Sequence, residues 1–147
     1  MTGRKAAFRR AGQRALRRAG RPMTVYTGTI ETEFDPDVGD DVPVFDDQGD
    51  PSYAFDAGVD TVGEIRLRGG ATNIPHTASG GDAEVDAVIY LLDPLLDDAG
   101  DTVEISSGGD DITEPATEIA VPDSGRYRVR HVHAEAAGRQ RCACERL

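Results

Sequence analysis

Residues 88–92 read Val-Ile-Tyr-Leu-Leu, the densest apolar run in the chain, and a Pro-bearing break at Asp93-Pro94 separates them from Gly100-Asp101 and the alternating Thr102-Val103-Glu104-Ile105. A continuous apolar run bounded by turn residues predicts a strand buried on both faces, and the alternation predicts a second, half-buried one. The stretch 85–105 is therefore expected at the centre of the core. The period of two recurs elsewhere. Tyr26, Ile30 and Phe34 share a side of a Thr-, Val-, Ile- and Tyr-rich segment at 23–34, which predicts a long strand. Val42-Pro43-Val44-Phe45 predicts a short one, confined by its proline to an edge or a strand start. At 59–68, Ile65 and Leu67 alternate with Glu64, Arg66 and Arg68, the pattern of a strand with one wet face. Alternation resumes at Arg126-Tyr127-Arg128-Val129 and runs to Ala134; 135–139 is a small-residue turn, and 140–146 returns as the last strand of a hairpin.

Between these segments lie three loops. Tyr53 and Phe55 pin the Asp-, Gly- and Pro-rich 46–58, glycines dominate 69–82, and 106–125 reads as a loop or insertion. The period changes only at the N-terminus, where Phe8, Ala11, Ala15, Leu16 and Ala19 recur at helical spacing and Gly20 and Pro22 end the pattern. That stripe is narrow and mostly alanine, so the helix is marginal alone and gains order by docking. Six or seven short strands and one helix predict a mainly β fold, a small β-barrel or sandwich with long loops. Its expected organisation is a basic arm at 1–22 and a barrel domain at 23–147 that carries the loops 69–82 and 106–125.

At 147 residues the chain predicts one domain able to bury about two thirds of its unfolded surface. Its two cysteines make no disulfide framework. The N-terminus lacks an apolar h-region, and no run approaches the roughly eighteen apolar residues of a membrane span. A soluble intracellular or particle-borne protein without a membrane partner is expected.

Charge sharpens this picture. Arg4, Lys5, Arg9, Arg10, Arg14, Arg17, Arg18 and Arg21 place eight positive charges and no acid in the first 22 residues; the rest carries 27 acids against eight bases, a net of −19. Lys5 is the only lysine, and aspartate outnumbers glutamate 18 to 9. Such a body repels itself in dilute buffer, whereas in molar salt the Debye length falls to about 3 Å. A halophilic host is the expectation. The basic helix reads as a docking arm for an acidic partner, a nucleic-acid arm, a membrane-surface helix or a loosely ordered tail. High salt weakens phosphate contacts through lost counterion release, which counts against nucleic acid.

Candidate chemistry is sparse. If Glu135 pairs with Gln140, then His133 faces Cys142 and His131 faces Cys144, a set of two imidazoles and two thiolates able to hold tetrahedral zinc. A register shift of one residue destroys that set, and the alternative is that the cysteines fill core positions while the histidines sit at a rim. The expectation is no metal and no cofactor. The acidic segment 35–41 fails the calcium-loop pattern, and no Lys-Ser/Thr pair follows the glycines of 69–82, so no phosphate cradle forms. No serine lies in a nucleophile elbow. A non-enzymatic protein is expected.

The order of the segments carries a resemblance. An N-terminal helix, Val44-Phe45-Asp46-Asp47, a mid-chain strand, Leu95-Leu96 before Gly100-Asp101-Thr102-Val103-Glu104-Ile105, then Tyr127-Arg128-Val129 and a closing strand resemble the head completion, or head-tail joining, proteins of tailed viruses, also called stoppers. The resemblance covers about residues 24–147. It implies a β-barrel with mobile loops in a ring, six copies by family preference, with the portal and adaptor ring above and tail proteins below. The ring closes the DNA-filled head and offers the tail its platform in the virion neck, after assembly in the host cytoplasm, and viral DNA passes through without sequence-specific binding. With the acidic composition it implies a virus of a halophilic archaeon. On this reading Arg4, Lys5, Phe8, Arg9, Arg10, Arg14, Leu16, Arg17 and Arg18 dock a partner, and Asn73, Ile74, Pro75, His76, Ser106, Ser107, Gly108, Gly109, Asp110 and Asp111 make inter-ring contacts or gate the channel. A neck adaptor, a tail terminator and a small nucleic-acid-binding regulator using the arginine helix remain open.

Overall fold

The computed structural model describes residues 2–67, 85–107 and 115–147, with side chains from Arg4 onward. The helix α1 (Thr2–Ala19) precedes β1 (Arg21–Ile30), β2 (Thr32–Asp35), β3 (Asp40–Pro43), β4 (Tyr53–Phe55), β5 (Val59–Leu67), β6 (Ala87–Leu92), β7 (Ala116–Val121), β8 (Gly125–Glu135) and β9 (Arg139–Arg146). Six strands close an antiparallel barrel in the order β1-β5-β6-β9-β8-β7, with β7 returning to β1. The mainly β barrel with a terminal helix expected from the sequence is the fold observed. Closure rests on the stagger of β1: Arg21 to Val25 pair with β5 on one side, and Thr24 to Gly28 pair with β7 on the other. Beyond β5, β4 takes over the same side of β1, Gly28 standing opposite Phe55. The extra residue between the two pairings is absorbed in a bulge, where Asp56 Oδ1 accepts the amides of Thr27 (3.1 Å) and Gly58 (3.0 Å).

Alternate residues of all six strands fill the interior. Met23, Val25, Ile89, Leu91, Ile119, Tyr127, Val129, Cys142 and Cys144 form one buried cluster, and each large aliphatic side chain in it contributes about 1.5–3 kcal/mol. The phenol of Tyr127 meets the Ser124 hydroxyl at 2.7 Å, so its polar end is satisfied inside the wall. β6 is buried on both faces, as its apolar run predicts. Its outward Val88 and Tyr90 join Val85 and Ala143 in a second cluster, and the guanidinium groups of Arg66 and Arg139 lie 5.2 and 4.7 Å from the Tyr90 ring.

Several expectations need correction: the loop expected at 46–58 contains β4, and the short strand expected at 42–45 is β3, ending at Pro43. The segment 23–34 is not one strand, because β1 ends at Ile30 and β2 starts a separate hairpin with β3. Thr102-Val103-Glu104-Ile105 forms no strand. Leu96 bridges Thr102 and the Val103 amide donates to Leu95 O at 2.8 Å, after which Val103 and Ile105 pack against the core cluster without entering its ladder. Their apolar side finds the core, but the closed barrel has no free edge to pair with. The segment 106–125, expected as a loop or insertion, contains β7, the strand that closes the barrel. Asn73, Ile74, Pro75 and His76 in the expected loop 69–82, and Gly108, Gly109, Asp110 and Asp111, lie outside the described residues. Ser106 and Ser107 are described and half-buried, with the Ser106 amide bonded to Thr117 Oγ1 at 2.8 Å.

Candidate functional site

Helix α1 holds arginines, small residues and two large apolar side chains, and its tertiary packing uses only part of that set. Leu16 is 4% exposed and anchors it. Arg9 Nη2 and Gln13 Nε2 donate to Asp93 O at 2.9 and 2.8 Å. Gly12 lies so close to the carbonyl of Ala137 that a Cβ would collide with it, and Gly138, at φ +74, lies under the stem of Arg9. The helix thus crosses from Gly20, beside Gly63, to the β8–β9 turn. Arg17 and Arg18 suit its C-terminal dipole, and the Gly20 amide bonds back to Leu16 O at 2.7 Å.

The docked side is not the predicted stripe. Phe8, Ala11, Ala15 and Ala19 are exposed beside Leu16, with Phe8 at 59%. Arg4, Lys5, Arg14, Arg17 and Arg18 make no ion pair with any described residue, while Arg10 bonds only to its own helix at Ala6 O and Arg9 approaches Asp93 at 3.8 Å. Leu16 and Arg9, two of the residues expected to dock a partner, attach the helix to its own barrel. The outward face carries Phe8 among unpaired cations.

The complementary surface is acidic. From Glu31 to Asp50 the chain holds nine acids and no base. It begins with the β2–β3 hairpin, on which Phe34 and Val38 are each 65% exposed. It ends in a tip whose wiring recurs 51 positions later. The amide of Asp46 donates to Asp50 O (2.8 Å), Gly49 to Asp46 O (3.0 Å), and Gln48 and Asp50 to Asp46 Oδ1 (both 2.9 Å). The amide of Asp97 donates to Asp101 O (2.9 Å), Gly100 to Asp97 O (3.0 Å), and Ala99 and Asp101 to Asp97 Oδ1 (3.0 and 2.9 Å). Ser52 to Val44 and Val103 to Leu95 complete the match, and both glycines sit at φ +84. Each tip exposes an apolar side chain at its base, Phe45 (50%) and Leu96 (48%). The signal is legible in Phe-Asp-Asp-Gln-Gly-Asp and Leu-Asp-Asp-Ala-Gly-Asp, a pair that periodicity alone passes over.

A third polar cluster is structural. Glu118 on the outer face of β7 is 4% exposed and is gripped by Arg126 and Arg128 of β8. Arg126 lies 4.3 Å from the Tyr26 ring and 5.2 Å from Phe55, and Arg128 lies 5.2 Å from Tyr53. The cluster joins β7 and β8 to β1 and β4, and Phe55 covers Gly28, where a Cβ would strike its ring.

The geometry expected for zinc is absent. The β8–β9 turn pairs Glu135 with Arg139, not Gln140, so His133 stands opposite Arg141 and His131 opposite Ala143. A bulge at Arg130 then restores Val129 to Cys144, which keeps Cys142 and Cys144 in the core and leaves both histidines exposed on the other face. A three-residue hairpin loop ending in a glycine at positive φ favours this register, and Gly138 at φ +74 supplies it. Burial pushes the Cys142 thiol up to about 12 and raises Cys144 well above its ordinary value, burial first and the neighbouring Cys142 second. Both are poor nucleophiles and poor ligands. Among the described residues no group of three or more His, Cys, Asp or Glu could hold a metal ion.

An open groove of about 900 Å³ between Thr27, Asp56, Val59, Val103, Ile105 and Val132 is lined by no described histidine or cysteine. No described helix is long and apolar enough to cross a membrane. Compared with known proteins, the chain matches no family model and no curated protein. The functional reading therefore rests on the surfaces: an arginine face on a docked helix, an acidic hairpin with apolar side chains outward, and two alike tips on a closed barrel.

Proposed function

We propose that the chain is a non-enzymatic structural protein of the virion neck of a tailed virus, a stopper or head completion subunit working in a ring of six between the portal and adaptor ring and the tail. The observation that carries the reading is the division of labour between a closed barrel and its attachments. Polar contacts on the barrel wall are consumed in holding strands, as at Glu118 and Asp56, while most of the exposed large apolar side chains lie on the helix, the hairpin and the tips. A ring subunit needs a rigid body that presents different surfaces to its neighbours, the head and the tail. The acidic body suits a channel that lets packaged DNA pass without adhering, and excess aspartate with a single lysine suits a halophilic archaeal host.

Deleting residues 1–20, which removes the helix and leaves β1 whole, tests the reading in virus-producing cells. A neck component lacking them gives tailless heads that fail to retain their DNA while its barrel stays folded, and the full chain is found by mass spectrometry in purified virions. Wild-type particle assembly, together with loss of duplex DNA binding by the deleted chain, refutes the neck reading in favour of a nucleic-acid-binding regulator. That second reading is favoured by one observation, the exposed arginines of α1 that make no ion pair with any described residue.

A further inference from the structure

We infer that copies of this chain associate head to tail, the outward basic face of α1 in one copy seating on the acidic β2–β3 hairpin and adjoining 46–50 tip of the next. The inference rests on the ring-forming part of the reading above and not on its viral part.

The two surfaces match in charge and in apolar content. α1 carries Arg4, Lys5, Arg9, Arg10, Arg14, Arg17 and Arg18 and no acid, while Glu31, Glu33, Asp35, Asp37, Asp40, Asp41, Asp46, Asp47 and Asp50 face no base within their own segment. Each surface also exposes aromatic rings, Phe8 at 59% against Phe34 at 65% and Phe45 at 50%, with Val38 at 65% at the hairpin turn. Neither surface meets the other within its own copy among the described residues. No ion pair joins an α1 cation to an acid of the hairpin or its tip among the described residues; the α1 pair there is Arg9 with Asp93.

Within one copy the two are held apart. Leu16, Gly12 and the bonds of Arg9 and Gln13 to Asp93 fix the helix to the barrel. Between Gly20 and Glu31 lie the ten residues of β1, about 33 Å of extended chain. A pair of complementary patches at different places on a rigid body makes a heterologous contact, which closes into a ring or continues as a filament according to the rotation between copies.

A second copy suits the basic face better than nucleic acid does. The chain beyond residue 22 carries a net charge of −19 and repels phosphate, whereas the acidic hairpin brings its own apolar side chains to meet Phe8. Charge supplies steering and register, and the aromatic contact persists when salt screens the rim.

Charge reversal in two complementary variants of the full chain tests the contact. The helix variant is Arg10→Glu, Arg14→Glu and Arg17→Glu, sparing Arg9; the hairpin variant is Glu33→Arg, Asp37→Arg and Asp41→Arg, at carboxylates that accept none of the hydrogen bonds of the turn. Sedimentation velocity at 0.1 M KCl reads association, circular dichroism verifies that each variant is folded, and a fluorescent DNA duplex serves as competing partner. Each variant alone is expected to lose self-association by about 100-fold or more, since like charges then face each other. An equimolar mixture is expected to recover it, because each reversed surface meets its complement. Native association that both reversals leave unchanged overturns this contact while leaving a ring built elsewhere. A native chain that stays monomeric at millimolar concentration also overturns it, without touching assembly on a portal. Variants that fail alone and fail to recover when mixed overturn it as well, as does a helix reversal that abolishes only DNA binding.

Discussion

Leu16→Ala separates the attachment of the helix from the folding of the barrel. Leu16 is 4% exposed, whereas the described side chains of α1 before Gly12 are exposed, so this one side chain supplies most of the apolar burial that holds the helix. Truncation of a buried leucine costs about 2–5 kcal/mol, and a peripheral site that can collapse lies near the low end, about 2.5 kcal/mol. The two bonds to Asp93 O remain but face solvent on one side. At tenfold per 1.4 kcal/mol, the detached population rises about 60-fold. A detached 18-residue helix of this composition is marginal alone and frays.

Trypsin reads this directly, because α1 offers seven basic cleavage sites and proteolysis of a rapidly reclosing segment follows its open population. Cleavage within residues 4–18 is expected to accelerate by about 60-fold in Leu16→Ala, with the barrel's thermal midpoint nearly unchanged. Ile89→Ala, which opens a cavity in the main core, should lower that midpoint instead and leave early helix cleavage near native. Gly12→Ala provides an independent arm, since a Cβ there meets Ala137 O and should detach the helix without removing any apolar surface. Should Leu16→Ala lower the midpoint as far as Ile89→Ala while leaving the cleavage rate unchanged, the helix belongs to the barrel's cooperative unit and the reasoning is refuted.

Further outcomes follow from the core and the tips. Glu118→Ala leaves Arg126 and Arg128 facing each other across a buried site; with both guanidiniums partly exposed, the loss should be about 2–3 kcal/mol, below the full 3–5 of a fully buried pair, read as a urea midpoint shift. The buried thiols stabilise the fold only while neutral. With Cys142 pushed up to about 12 against about 8.5 in the unfolded chain, their contribution is complete below the unfolded value and is lost as pH rises through the window above it. The urea midpoint should therefore fall more steeply above about pH 9 in the native chain than in Cys142→Ala/Cys144→Ala, and native thiols should resist Ellman's reagent until denaturant is added. Gly49→Ala and Gly100→Ala should each cost about 1–2 kcal/mol and should cost the same, since both sit at φ +84 with open space around them; unequal costs would break the equivalence of the tips.

How much of this was legible follows from where each segment's partners lie. The strand at 59–68 and the double-sided burial of 88–92 could be read because their periodicity reflects local contacts with water and core. β7 could not. Ala-Thr-Glu-Ile-Ala-Val offers only Ile119 and Val121 as large apolar inward residues, too short a pattern to mark a strand, and only the arginines of β8 make the outward Glu118 compatible with 4% exposure. Thr102-Val103-Glu104-Ile105 shows the reverse, since alternation records an apolar side but not the availability of a ladder. The helix was legible as a helix, but the side it buries was set by Gly12 and Gly138 and by the carbonyl of Asp93, none of which adds to a hydrophobic stripe. The histidine–cysteine geometry depended on one position of register, which Gly138 decides.

The twin tips sharpen the functional argument more than the barrel does. A single Asp-anchored loop of this kind is a common way to end a hairpin. Two with the same bonds, the same φ and an exposed apolar residue at the same position form a repeated presentation, one at the end of the acidic hairpin segment and one after β6. If the hairpin segment meets the basic helix of a neighbour, Phe45 at its tip enters that contact. Leu96 then offers an equivalent side chain that the same interface leaves uncovered. A rigid barrel that holds two alike tips at fixed separation can present one to its neighbour in a ring and keep the other for whatever the ring docks on. Replacing Phe45 and Leu96 by serine in separate variants tests this assignment: the first change should weaken self-association and the second should spare it, and equal effects of the two would remove the distinction.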